Sequence, residues 1–171
     1  MSTRTMISKI GEEILVVTQR QDSESPLSSA ELTEKALGLI ARQIGVPSIR
    51  YEKDVRGKPV VVGGTGFLSV THTDTLHAVA YAPFPIGIDA EPKEENRERV
   101  AQRFFSPEEK TLSFSFVWTA KEAVAKLVGE GISMIARIRV SQDGAEADGR
   151  CFHLHCMDCE GILLTLAREK E

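Results

Sequence analysis

Two short runs of this sequence put chemistry-bearing side chains at fixed spacing. The first, PIGIDAEP at 85–92, carries Asp89 and Glu91 at the end of what reads as a buried strand, since Ile86 and Ile88 are β-branched and Pro85 and Pro92 punctuate it. Side chains two apart on a strand share a face, so the two carboxylates stand side by side and repel. A positive charge between them resolves the conflict, and a divalent cation with oxygen ligands is the candidate. In the second run, FVWTAKEAVAKLVGEG, the residues Val117, Ala120, Val124, Leu127 and Val128 recur at helical spacing as a buried stripe. Beside that stripe Trp118, Glu122 and Lys126 follow one another at i, i+4. Alone, Glu122 and Lys126 read as a surface ion pair of about 0.3–0.5 kcal/mol. With an acidic strand end nearby, and with Gly87 letting backbone approach closely, they become parts of a magnesium and phosphate site.

Elements must position these residues, and the pattern predicts them. EEILVVTQ (Glu12 to Gln19) reads as a strand, and SSAELTEKALGLIARQIG as a helix with Ser28 or Ser29 as N-cap, Gly45 past its end, and Leu32, Ala36, Leu39 and Ile40 facing the core. EKDVRGKP reads as a loop. FLSVTHTDTLHAVAYA is predicted to be a hairpin turning at THTDT. After the IGIDAE strand come a charged helix from about Glu94 to Phe104 and a second helix starting at SPEEK, with Ser106 as cap and Pro107 at its first position, and ending near Val128. GEGIS breaks it, and the remainder alternates like two or three antiparallel strands. The expected fold class is α+β with largely antiparallel sheets, in two loosely similar halves that each set a helix beside a meander.

Composition bounds the function. A chain of 171 residues holds one ordinary domain or two small halves. Its formal net charge of −4 argues against nucleic acid or an anionic membrane as the main partner. MSTRTMISKIGEE has no apolar h-region and no run of 18 apolar residues occurs, so neither a secretory signal nor a membrane span is expected. The three cysteines, an odd number gathered at 151–159, suit a reducing compartment, and the expected location is the cytoplasm.

Taken in order, these motifs resemble the 4′-phosphopantetheinyl transferases, whose signature runs Gly-Ile/Val-Asp-x-Glu and then Phe/Trp-Ser/Thr/Cys-x-Lys-Glu-Ala/Ser-x-x-Lys. GIDAE at 87–91 and WTAKEAVAK at 118–126 fill both parts. Upstream, Gly57, Lys58 and Pro59 followed by SVTHT match a third family element, with Thr71 where serine is usual. Three elements in the right order are far more specific than any one alone.

The resemblance implies a holo-carrier-protein synthase that moves the phosphopantetheine arm of coenzyme A onto a serine of an acyl or peptidyl carrier protein. It implies Mg²⁺ held by Asp89, Glu91 and Glu122, with Glu122 also accepting the serine proton, directly or through water, and Lys126 stabilising phosphoryl oxygens or the leaving group. Lys58 and His72 are the implied ligands of coenzyme A phosphates, Thr71 a hydroxyl donor and Arg56 a further cation. Read without the motifs, His72 is a half-exposed hairpin residue. Residues 1–85 precede the metal motif, which resembles the surfactin-synthetase-activating branch: a monomer of two similar halves related by a pseudo-twofold, with coenzyme A phosphate contacts in 1–85 and the metal and catalytic motifs in 86–171. That branch's basic helix is not matched, since Lys35 and Arg42 are the cations of SSAELTEKALGLIARQIG. A non-catalytic homologue that binds carrier protein or coenzyme A is the alternative.

Two further features invite a reading. Arg99 and Arg103 lie four apart beside Phe104 and Phe105, either a docking face for an acidic carrier or a solvated helix face. CFHLHCMDC offers two cysteines and two histidines, yet alternate strand residues converge poorly on a tetrahedral metal, and buried cysteines with surface histidines are the expectation.

Overall fold

The computed structural model describes residues 3–20, 27–93 and 97–170, and divides the chain into two compact units, 1–85 and 86–171. Among the described residues every strand pairing in both units is antiparallel and helices are few, so the α+β expectation holds.

The N-terminal unit is built on a four-stranded sheet of order β1-β2-β6-β5. Strands β1 (Thr3–Ile10) and β2 (Glu13–Arg20) form a hairpin closed by Gly11 and Glu12, with Gly11 at φ +61°, the left-handed geometry that a two-residue turn demands. Helix α1 (Ser29–Ile44) follows, capped at both ends as the sequence indicated. The Ser28 side chain accepts the Glu31 N–H while Glu31 accepts the Ser28 N–H, and Gly45 closes the far end in the left-handed region. Its apolar face sets Ala36, Leu37 and Ile40 on Ile14, Val16, Val79 and Tyr81 of β2 and β6. Leu37 joins that face as well, and the half-buried Leu39 packs against its edge. Between helix and main hairpin, the expected loop is the tip of a second hairpin, β3 (Arg50–Lys53) with β4 (Pro59–Val62). Strands β5 (Phe67–His72) and β6 (Leu76–Ala82) form the predicted hairpin.

The C-terminal unit is a five-stranded sheet of order β7-β11-β10-β9-β8, from β7 (Ile86–Pro92), β8 (Arg139–Ser141), β9 (Gly144–Ala147), β10 (Arg150–Cys159) and β11 (Ile162–Glu169). The tail therefore supplies four strands where two or three were expected. Helix α2 spans Glu98–Phe104, and the part of the expected helix at 94–96 lies outside the described residues. The start signal at SPEEK is real but short. Ser106 and Glu109 exchange the reciprocal bonds of a capping box, yet the turn ends after a 3₁₀ segment at Glu109–Thr111, and the long helix restarts on Ser113. That helix, α3 (Phe114–Val128), ends at Gly129 and is followed by the short α4 (Ile132–Ile135). It lies on β7 and β11, with Val117, Ala120, Ala123, Val124 and Leu127 buried against Ile138, Phe152 and Ala167.

Candidate active site

Gly87 determines how closely β7 lies against α3. A Cβ there would fall inside contact distance of the Ala123 carbonyl oxygen and 2.7 Å from the Leu127 nitrogen, so the strand rests on helix backbone and admits no side chain. Alternation then turns Asp89 and Glu91 toward the same helix, while Ile86, Ile88 and Ala90 point to the opposite face and are buried. On β11, Thr165 pairs with Asp89 across the ladder and shares a 2.7 Å hydroxyl contact with Thr119 of α3, fixing the helix beside the acids.

The positive charge that the paired acids demanded comes from the chain itself. Lys126 Nζ donates to Asp89 Oδ1 at 2.8 Å, and Arg97 Nη2 donates to Glu91 Oε1. Glu122, one turn before Lys126, lies in the field of all four. Burial and then the Asp89 carboxylate push its carboxyl above the usual range, Glu91 adds to the push, and Lys126 and Arg97 oppose it. A carboxyl whose affinity for protons is raised in this way is a candidate general base. The structure thus gathers Asp89, Glu91, Glu122 and Lys126, as the motifs required.

For a divalent metal, the three carboxylates are the right donor type, hard oxygens near one another on two rigid elements. As they stand, two of them are engaged by cations, and among the described residues no group of three or more His, Cys, Asp or Glu is arranged to hold a metal ion. The donors fit Mg²⁺ by chemical type.

The other residues expected at the site lie in the N-terminal unit. Arg56 and Lys58 sit on the tip of the β3–β4 hairpin, where the Asp54 carboxylate accepts both their backbone N–H groups at 2.8 and 2.9 Å. Half-burial lowers the Lys58 ammonium from its ordinary value, partly offset by Asp54. Thr71 is buried and His72 exposed at the end of β5. A cleft of about 440 Å³ in this unit, lined by Leu37, Arg50 and Tyr51 among others, includes none of the four.

Sequence reasoning missed three participants. Lys121, the first lysine of the WTAKE run, is wholly buried, with Nζ 2.9 Å from Glu109 Oε1 and donating to the Ile138 carbonyl. Glu109 also accepts the Val140 N–H at 2.8 Å and the Ser106 N–H at 2.7 Å, so it ties the 3₁₀ turn, α3 and β8 together. The third is Arg97. Lys121 was readable, because 117, 121, 124 and 128 share one helical stripe and a lysine within it needs a buried counter-charge.

The surface features resolve differently. Arg99 and Arg103 are exposed on α2, but Phe105 is a core residue and Phe104 packs toward Trp118 at 5.9 Å, so the aromatic pair is not a free anchor. On β10, His153 and His155 are exposed as expected, whereas Cys151 and Cys156 are exposed too and Cys159 alone is buried.

Residues 85–153 match the model of the 4′-phosphopantetheinyl transferase superfamily, the class of protein that the motifs and their geometry resemble. Among curated proteins the chain is 33% identical over 111 residues to 4′-phosphopantetheinyl transferase psf-1 of Bacillus pumilus, covering 56% of this chain and 48% of that protein. It is 28% identical over 117 residues to 4′-phosphopantetheinyl transferase Sfp of Bacillus subtilis, covering 60% and 52%, and 30% identical over 96 residues to 4′-phosphopantetheinyl transferase gsp of Aneurinibacillus migulanus, covering 50% and 40%. The resemblance to this superfamily is thereby shown, and these relatives are consistent with the surfactin-activating branch. The chain spans about half the length of the curated relatives it matches.

Proposed function

We propose that this chain is a 4′-phosphopantetheinyl transferase that moves the arm of coenzyme A to a serine of an acyl or peptidyl carrier protein. The observation that carries the reading is the convergence of Asp89, Glu91, Glu122 and Lys126 where β7 meets α3, at the positions of the superfamily signature. In the reaction the serine oxygen attacks the coenzyme A phosphorus that bears the pantetheine arm. The bond from that phosphorus to the bridging oxygen breaks, and adenosine 3′,5′-bisphosphate leaves with the electron pair. Glu122 takes the serine proton, directly or through water. Lys126, a third exposed at the end of α3, turns from Asp89 to the phosphoryl oxygens. Asp89, Glu91 and Glu122 would hold Mg²⁺, which would supply charge neutralisation at the pyrophosphate.

Lys58, Thr71, His72 and Arg56 are proposed contacts of the coenzyme A phosphates, with the half-buried Lys58 ammonium and the rigid hairpin tip in support. The pseudo-twofold relation of two halves belongs to the same proposal, supported by the recurrence in each unit of a helix laid on an antiparallel sheet. So do a monomeric state, which sedimentation tests, and a cytoplasmic location; among the described residues no helix is long and apolar enough to cross a membrane. The deciding experiment is mass spectrometry of apo-carrier proteins incubated with the chain, coenzyme A and Mg²⁺. A gain of one phosphopantetheine on the carrier serine is expected. Binding of carrier or coenzyme A without that gain establishes the non-catalytic alternative.

A further inference from the structure

Arg97 enters none of the motifs, yet its guanidinium lies within the acidic cluster. It donates to Glu91, and its central carbon lies 5.6 Å from the ring centroids of both Phe114 and Trp118. Charge gives this placement meaning. Three carboxylates with Lys126 and Arg97 leave one negative charge when all are ionised, so a divalent cation entering the cluster overshoots neutrality unless a resident cation yields. Arg97 is the resident placed to yield. Of the two ion pairs its own is the more exposed, Arg97 and Glu91 at 40% and 17% against Lys126 and Asp89 at 33% and 10%. The faces of Phe114 and Trp118 already hold the guanidinium beside the ion pair, so it keeps that contact when Glu91 is taken.

We propose that Arg97 is a built-in counter-ion for Glu91 that competes with a divalent cation for that carboxylate, and so sets how tightly this chain holds Mg²⁺. The inference rests on the metal reading given above but concerns a residue that reading does not use. In the metal-free chain Arg97 holds Glu91 in place and relieves its repulsion with Asp89. When the metal binds, the guanidinium gives up the carboxylate while keeping its contact with the two rings, and the lost ion pair is subtracted from the metal's affinity.

Calorimetric titration of the full chain with MgCl₂ alone, without coenzyme A or carrier, tests this. Arg97→Gln removes the competing charge, and Arg97→Met does so while keeping apolar contact with Phe114 and Trp118. Both are expected to bind Mg²⁺ about two- to fivefold more tightly than the wild type, the effect of deleting a part-exposed pair. Arg97→Lys keeps the charge and stays near the wild-type affinity. The rise in melting temperature on adding MgCl₂ is expected to be larger for Gln and Met than for Lys or wild type. If the wild type binds Mg²⁺ and the neutral variants bind it equally or more weakly, Arg97 is not a competitor, while the metal reading stands. If neither wild type nor variants take up Mg²⁺, and Glu91→Gln is indistinguishable from wild type, the metal reading fails and this inference fails with it.

Discussion

Helix α3 carries two lysines from the same motif, in opposite surroundings. Lys121 is sealed, 0% exposed, against a Glu109 that is 1% exposed and itself holds two backbone N–H groups. Lys126 is 33% exposed and touches one oxygen of Asp89. Two charges deep in protein have no water to fall back on, so the inner pair is held by everything around it and releases nothing. The outer pair can exchange its partner for solvent, metal or phosphate at modest cost. One helix therefore has an ionic strut on its inner side and an ionic contact free to rearrange on its open side. This explains how a motif can hold two lysines of which one is proposed to meet substrate.

The comparison is broken most directly at the strut. Lys121→Met or Glu109→Leu alone leaves a buried charge uncompensated and is expected to cost about 3–5 kcal/mol in urea unfolding. The double substitution should recover only part, because the Ser106 and Val140 N–H groups lose their acceptor. Single variants as stable as the wild type would erase the distinction between the two lysines. At the open pair, Lys126→Ala is expected to lower the transfer rate on the order of 100-fold, comparable to losing one donor to a developing charge, while unfolding shifts by less than about 1 kcal/mol. An early-melting Lys126→Ala that still transfers the arm would reverse the assignment.

A subtler effect should appear at Glu122. Its folded-state affinity for protons is raised above the usual 4.5, so its contribution to stability is full below that value and fades as pH rises through the folded-state pKa. The metal-free wild type should therefore lose stability relative to Glu122→Gln as pH rises above about 4.5, and thermal melts across a pH series measure the difference. MgCl₂ should narrow the gap by stabilising the wild type more. The smallest change is expected at Arg150 and Glu169, a two-pronged pair 38% and 43% exposed, where Arg150→Ala should alter unfolding by less than about 0.5 kcal/mol. A larger cost there would mean that burial is not what ranks these pairs.

What was legible in the sequence were signals with a local cause. Ser28 and Gly45 bound α1, and β-branched residues around THTDT produce the β5–β6 hairpin, because each works through its own backbone. The Asp-x-Glu spacing foretold one crowded face. What escaped depends on partners distant in sequence. Strand β1 is mostly exposed, with Ile7 at 42%, and earns its place by pairing with β2 rather than by an apolar pattern. Strand β3 is likewise half solvated. SPEEK carries a genuine capping box, but whether a helix continues beyond it is settled by Glu109 turning inward to Lys121 and Val140. Arg97 left no periodic trace, since its role comes from Glu91 and two aromatic rings meeting it in space.

Gly87 has a mechanical consequence for the cluster. A lysine stem has a fixed reach, and Lys126 spans to Asp89 because the strand stands on the helix with nothing between them. Even the single carbon of Gly87→Ala acts as a wedge at this contact, driving β7 and α3 apart and pulling the acids of the strand away from Glu122 and Lys126 together. The span across which every charged group in the cluster must act is thus gauged by the one residue in GIDAE that has no side chain.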